Sequence, residues 1–80
     1  MKKVRTTSTR NITGRRIKAI RMACKPKVSQ EDLAGRLASR GVLLNQAQVA
    51  KMENGQRQIA DFELWAIADA LRVPVQALFE

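Results

Sequence analysis

A chain of 80 residues with 15 Lys/Arg, 7 Asp/Glu and a net charge of +8 has room for one domain around a thin core. It holds no histidine and a single cysteine, Cys24, so it can make no internal disulfide, lacks the ligand set of a zinc site and excludes histidine-dependent catalysis. Apolar residues make up 45% of the chain, which suits a globular fold, yet no apolar run approaches the roughly 18 residues needed to cross a bilayer.

The charge is unevenly spread. Residues 1–27 hold ten of the 15 basic residues and no acid; all 7 acidic residues lie in 28–80. A basic block of this kind suits a polyanion, without saying which one. The start, Met1-Lys2-Lys3-Val4-Arg5-Thr6-Thr7, is basic but has no apolar stretch behind it, so it does not read as a secretory signal. The expectation is a cytoplasmic protein with no metal and no cofactor. Residues 1–11 are expected to be a flexible basic arm and residues 12–80 a single folded domain.

Thr13 is the expected N-cap of a first helix, about Gly14 to Ala23. Ile17 and Ile20 make its inward seam, and Arg21, four residues after Ile17, falls on the same side. Pro26 ends this helix because it pushes Lys25 out of the α region. Ser29 with Asp32 approximates a capping box for a second helix. Leu33, Ala34 and Leu37 mark its buried face, and Ala34 and Gly35 leave room for a neighbouring helix. It runs to about Ser39 or Arg40, with Gly41 suited to the left-handed position after it. Val42, Leu43 and Leu44 are expected to plug the turn.

Asn45 and Gln48 again have capping-box spacing, now opening a third helix closed by Asn54-Gly55. At about 100° per residue, Val49, Met52 and Glu53 gather on one side. Ala47, Lys51 and Asn54 gather on the other, with Gln46, Gln48 and Ala50 on the flanks. Asp61 is expected to cap a fourth helix to Leu71, on which Leu64, Ile67, Ala68 and Leu71 make an amphipathic face. Val73-Pro74 ends it and begins a fifth helix with Pro74 in its first turn, and Val75, Leu78 and Phe79 close the core. Trp65 admits two readings: packing across the first helix, or an exposed anchor in a homodimer. The fold class is all-α, a five-helix bundle.

The outer face of the third helix carries the functional signal. Glutamine can bond adenine N6 and N7 together, lysine can reach guanine O6 and N7, and an alanine methyl can touch the thymine methyl. Small residues also let the backbone come close to base edges.

In their order, Ile17 and Arg21 (I-x-x-x-R), Ser29-Gln30-Glu31-Asp32-Leu33-Ala34, Val49-Ala50-Lys51-Met52-Glu53-Asn54-Gly55-Gln56-Arg57 and Leu64-Trp65-Ala66-Ile67-Ala68-Asp69-Ala70-Leu71-Arg72-Val73 resemble the phage-repressor/Cro-like helix-turn-helix regulators. The resemblance spans residues 13–79. It implies a lambda-repressor-like bundle whose second and third helices form the helix-turn-helix. It implies base contacts from Gln46, Ala47, Gln48 and Lys51, and phosphate contacts from Gln30, Asn54 and Arg57. It implies a structural ion pair between Arg21 and Glu53. The stretch from Leu37 to Leu44 is longer than in the commonest family form, as is the Lys25-Pro26-Lys27 loop.

The function expected is sequence-specific binding of double-stranded DNA by a transcriptional regulator of bacterial or phage type, a repressor; the resemblance admits a homodimer that reads paired half-sites, and the sequence leaves the oligomeric state open. The alternative is the DNA-binding antitoxin half of a two-component pair, with a protein partner gripped by the last two helices. An enzyme is not expected, since no nucleophile–base arrangement and no phosphate-cradling glycine loop is present.

Overall fold

Short polar residues fix where the first three helices begin. The computed structural model describes residues 9–80, and within them four α-helices follow one another: α1 (Gly14–Ala23), α2 (Gln30–Ala38), α3 (Gln46–Glu53) and α4 (Asp61–Leu71). Ahead of α2, the Ser29 hydroxyl accepts from the Asp32 amide (2.9 Å) and the Asp32 carboxylate accepts from the Ser29 amide (3.0 Å). Asn45 and Gln48 make the same exchange ahead of α3, at 2.8 and 2.9 Å. Two expected caps are replaced. Thr13 makes no cap bond; instead the Asn11 side-chain oxygen accepts from the amides of Gly14 (2.7 Å) and Thr13 (3.2 Å). Asp61 is the first residue of α4 rather than its cap, and Glu63 reaches back to the Ala60 amide at 3.1 Å.

The capping carboxylates respond to pH. Asp32 is held below its ordinary value by the Ser29 backbone amide and hydroxyl. Glu63 is held below its own, first by the Arg57 guanidinium and then by the Ala60 amide. Because the folded values lie lower, the unfolded chain binds these protons more readily. The stabilisation is therefore complete above the ordinary values of 3.8 and 4.5 and is lost as pH falls through the folded ones. Thermal midpoints should stay level from about pH 7 to about pH 5 and fall below about pH 4. In an Asp32→Asn, Glu63→Gln variant the acid fall should be shallower.

Three helices end by one device. After α2 the Val42 amide bonds the Leu37 carbonyl (2.9 Å) and the Gly41 amide the Ala38 carbonyl (3.1 Å), with Gly41 at φ 86°. After α3, Gln56 bonds Lys51 (2.8 Å) and Gly55 bonds Met52 (3.1 Å), with Gly55 at φ 78°. After α4 the same pair of bonds runs from Val73 to Ala68 and from Arg72 to Asp69. This is the Schellman arrangement, which needs a left-handed residue. At the third site that residue is Arg72, at φ 60°, where a Cβ is crowded. Replacing Arg72 with glycine should therefore stabilise the fold by about 1 kcal/mol and raise the melting temperature by about 5 °C, read by calorimetry.

Beyond Val73 the chain does not form the expected fifth α-helix. Val75–Phe79 is a 3₁₀ turn, with Pro74 ahead of it rather than inside it. Its Ala77 amide bonds the Pro74 carbonyl three residues back at 2.9 Å. Only Leu78 of the three residues expected to close the core is buried; Val75 and Phe79 face outward. The fold is nonetheless all-α, with no strand among the described residues. No helix among the described residues is long and apolar enough to cross a membrane.

The core gathers Ile17 of α1, Leu33 and Leu37 of α2, Val49 and Met52 of α3, Ile67 of α4 and Leu78, all fully buried. Val28, Val42 and Leu44 seal its edges, while Leu43, expected beside them, is 81% exposed. The small surface at Gly35 is not used for close approach, since no atom lies within 4 Å of where its Cβ would stand. Trp65 does not lie buried across α1. It is half exposed and stacks on Phe62, with ring centroids 5.8 Å apart and planes 30° apart.

Candidate nucleic-acid interface

The position of α3 follows from a buried charge. Val49, Met52 and Glu53 turn inward, and the Glu53 carboxylate meets Arg21 of α1. Arg21 Nε donates to Glu53 Oε2 at 2.6 Å, its Nη2 to Oε1 at 3.0 Å and its Nη1 to the Val28 carbonyl at 2.9 Å. The side chains are 8% and 1% exposed. A two-point bond between a planar guanidinium and a carboxylate allows one relative orientation, so α1 and α3 are locked in rotation as well as distance.

That carboxylate also governs the surface. Gln30, in the first turn of α2, donates its amide to Glu53 Oε1 at 3.0 Å. A carboxylate only accepts, so Gln30 must turn its amide nitrogen inward and its oxygen outward. Gln46 of α3 then donates to the Gln30 oxygen at 2.5 Å. One amide hydrogen of Gln46 is thereby spent, leaving its oxygen and its second hydrogen for a ligand. The buried pair thus sets the direction of an exposed side chain through Gln30. The resemblance pairs Arg21 with Glu53, but the link onward through Gln30 to Gln46 is not legible in the sequence, because the contact between the starts of α2 and α3 has no local signature.

The other named residues fall as follows. Ala47, Lys51 and Asn54 are exposed on the face of α3 opposite Val49. Gln48 is exposed too, but its oxygen serves the Asn45 cap, which leaves its amide hydrogens for an outside partner. Arg57 lies in the loop after α3, bound end-on to Glu63 through Nη1 (2.9 Å) and Nη2 (3.2 Å), with Nη1 also on the Gln58 carbonyl (2.9 Å). The Nε edge of its guanidinium carries no bond among the described residues. Lys51 likewise has no acidic partner among them.

One contributor has no place in the sequence reading. Besides capping α1, Asn11 donates its amide to the Met52 carbonyl (3.1 Å) and the Arg57 carbonyl (2.7 Å). It ties the end of α3 and the loop after it to the start of α1. The only available signal is that Asn11 belongs to the residue types that cap helices, set three positions before Gly14. Of the arm assigned to residues 1–11, positions 1–8 lie outside the described residues.

The helix-turn-helix family model matches residues 17–78, which takes in most of α1, all of α2, α3 and α4, and the buried pair. The chain belongs to the phage-repressor/Cro-like helix-turn-helix family. A comparison with curated proteins gives no match. The family is one of DNA-binding domains, and the helix-turn-helix of this member is α2, the Ser39–Asn45 connection and α3. Its α3 face combines amide, methyl and ammonium groups in the open, the chemistry that base edges accept.

Proposed function

We propose that the protein is a sequence-specific transcriptional regulator that lays α3 in the major groove of double-stranded DNA and acts as a repressor. The supporting observation is the division of α3: Val49, Met52 and Glu53 are buried while Gln46, Ala47, Gln48, Lys51 and Asn54 stand open. Gln46, with one acceptor and one donor left, matches the N6 donor and N7 acceptor of adenine. Lys51 suits guanine O6 and N7, the Ala47 methyl suits thymine, and Gln48 adds amide donors. Gln30, whose side chain is held between Glu53 and Gln46, offers its first-turn backbone N–H to a phosphate. Asn54 and the free edge of Arg57 serve the backbone beyond.

A domain this small gains specificity by reading two half-sites as a homodimer, and the exposed apolar residues Val75, Phe79, Phe62 and Trp65 supply surface for one. The antitoxin reading gains nothing from the family match. No catalytic step and no cofactor enter this function.

The test is selection of bound duplexes from a random library, followed by titration at two salt concentrations. A short enriched site is expected, palindromic if two copies bind, with affinity falling steeply as salt rises. Gln46→Ala should weaken binding to that site about 10- to 100-fold and relax preference at one base pair. A library that emerges unenriched, with binding indifferent to salt, would sink the proposal.

A further inference from the structure

The chain segment before α1 does not leave the domain freely. The Arg10 amide donates to the Gly55 carbonyl at 2.7 Å. The next residue, Asn11, holds the Met52 and Arg57 carbonyls with its amide nitrogen and the start of α1 with its oxygen. Thr9 lies against Gly55, its methyl 3.3 Å from where a Cβ would stand. Residues 9–11 are thus fastened across the C-terminal end of α3, beside the exposed Asn54. The Arg10 side chain is exposed and has no acidic partner among the described residues.

The dimensions give this placement a consequence. Eight helical residues span about 12 Å, close to the width of the major groove. A helix of that length lying across the groove floor brings its last turn to one wall, and the wall is phosphate. A cation fixed there by backbone bonds has only its own side chain left to order on binding.

We infer that Arg10 is a phosphate contact of the DNA interface, placed by the Asn11 clasp at the C-terminal end of α3. The inference rests on the DNA-binding reading proposed above and adds a residue to it.

The probe is the duplex recovered by selection with the unaltered chain, followed by fluorescence anisotropy across a range of KCl concentrations. Arg10→Gln should make the slope of log affinity against log salt shallower by about 0.9, the share of one phosphate contact. The base preferences should not change. Arg72→Gln, which removes a cation after α4, should leave the slope as it was. Asn11→Asp keeps the oxygen that caps α1 but loses the nitrogen that holds the two carbonyls. In that background the effect of Arg10→Gln should shrink.

An unchanged slope in Arg10→Gln overturns the inference. So does an equal effect in both backgrounds, which would mean a loose charge rather than a clasped one. Loss of selective binding by the unaltered chain strikes the DNA reading itself, and the two failures are therefore distinct. Melting curves confirm that each variant is folded at the assay temperature, and Arg10→Gln, at an exposed position, keeps the test available if Asn11→Asp does not fold.

Discussion

Glu53→Leu should destabilise the domain by about 3–5 kcal/mol, the cost of stranding a buried guanidinium, against a total stability on the order of 5–15 kcal/mol. The change removes both carboxylate acceptors of Arg21 and leaves that cation with the Val28 carbonyl alone. Urea denaturation followed by circular dichroism measures it; a loss under about 1 kcal/mol would show that the pair is not buried as described. The double variant Arg21→Met, Glu53→Leu should recover most of the loss, because an apolar pair of similar size often matches a buried ion pair. Recovery of stability should not bring recovery of DNA binding. Gln30 still lacks the carboxylate that turns it, and Gln46 lacks a fixed partner. A stable double variant that binds as tightly as the parent would separate the buried pair from the surface amides and refute the link between them.

Sequence pattern reached furthest where the determinants are local. The boxes at Ser29–Asp32 and Asn45–Gln48, and the left-handed glycines Gly41 and Gly55, are short-range patterns, and α2 and α3 begin and end where they place them. The inward direction of Arg21 followed from its spacing to Ile17, and the open and closed sides of α3 from a 100° rotation per residue. Determinants with partners distant in sequence were out of reach. Thr13 has the right type for a cap, but Asn11 takes the role because its nitrogen finds carbonyls 41 and 46 residues away. Phe79 and Val75 are apolar enough for a core, yet a five-residue turn can direct only Leu78 inward. The direction of the Gln46 amide depends on a carboxylate passed on through Gln30, and no spacing rule contains that.

Gly14→Ala should destabilise the fold by about 3 kcal/mol, at the upper end of ordinary overpacking. A Cβ at Gly14 would stand 2.3 Å from the Met52 carbonyl oxygen and 2.9 Å from that of Glu53. Both obstacles are backbone, so no side chain can swing aside, and α1 must lift from the end of α3. The start of α1 thus rests on the last carbonyls of α3, with Asn11 bonded to both: its oxygen accepts from the Gly14 amide and its nitrogen donates to the Met52 carbonyl. Gly35→Ala is the matched control, with nothing within 4 Å of the added methyl. In the middle of a helix it should stabilise by about 1 kcal/mol through propensity alone. Two identical substitutions should therefore move the urea midpoint in opposite directions. Similar shifts for both would mean that α1 does not rest on the end of α3. The two should differ in DNA binding as well: Gly35→Ala keeps the parent affinity, whereas Gly14→Ala, measured where it remains folded, loses affinity because the end of α3 with Asn54 is displaced.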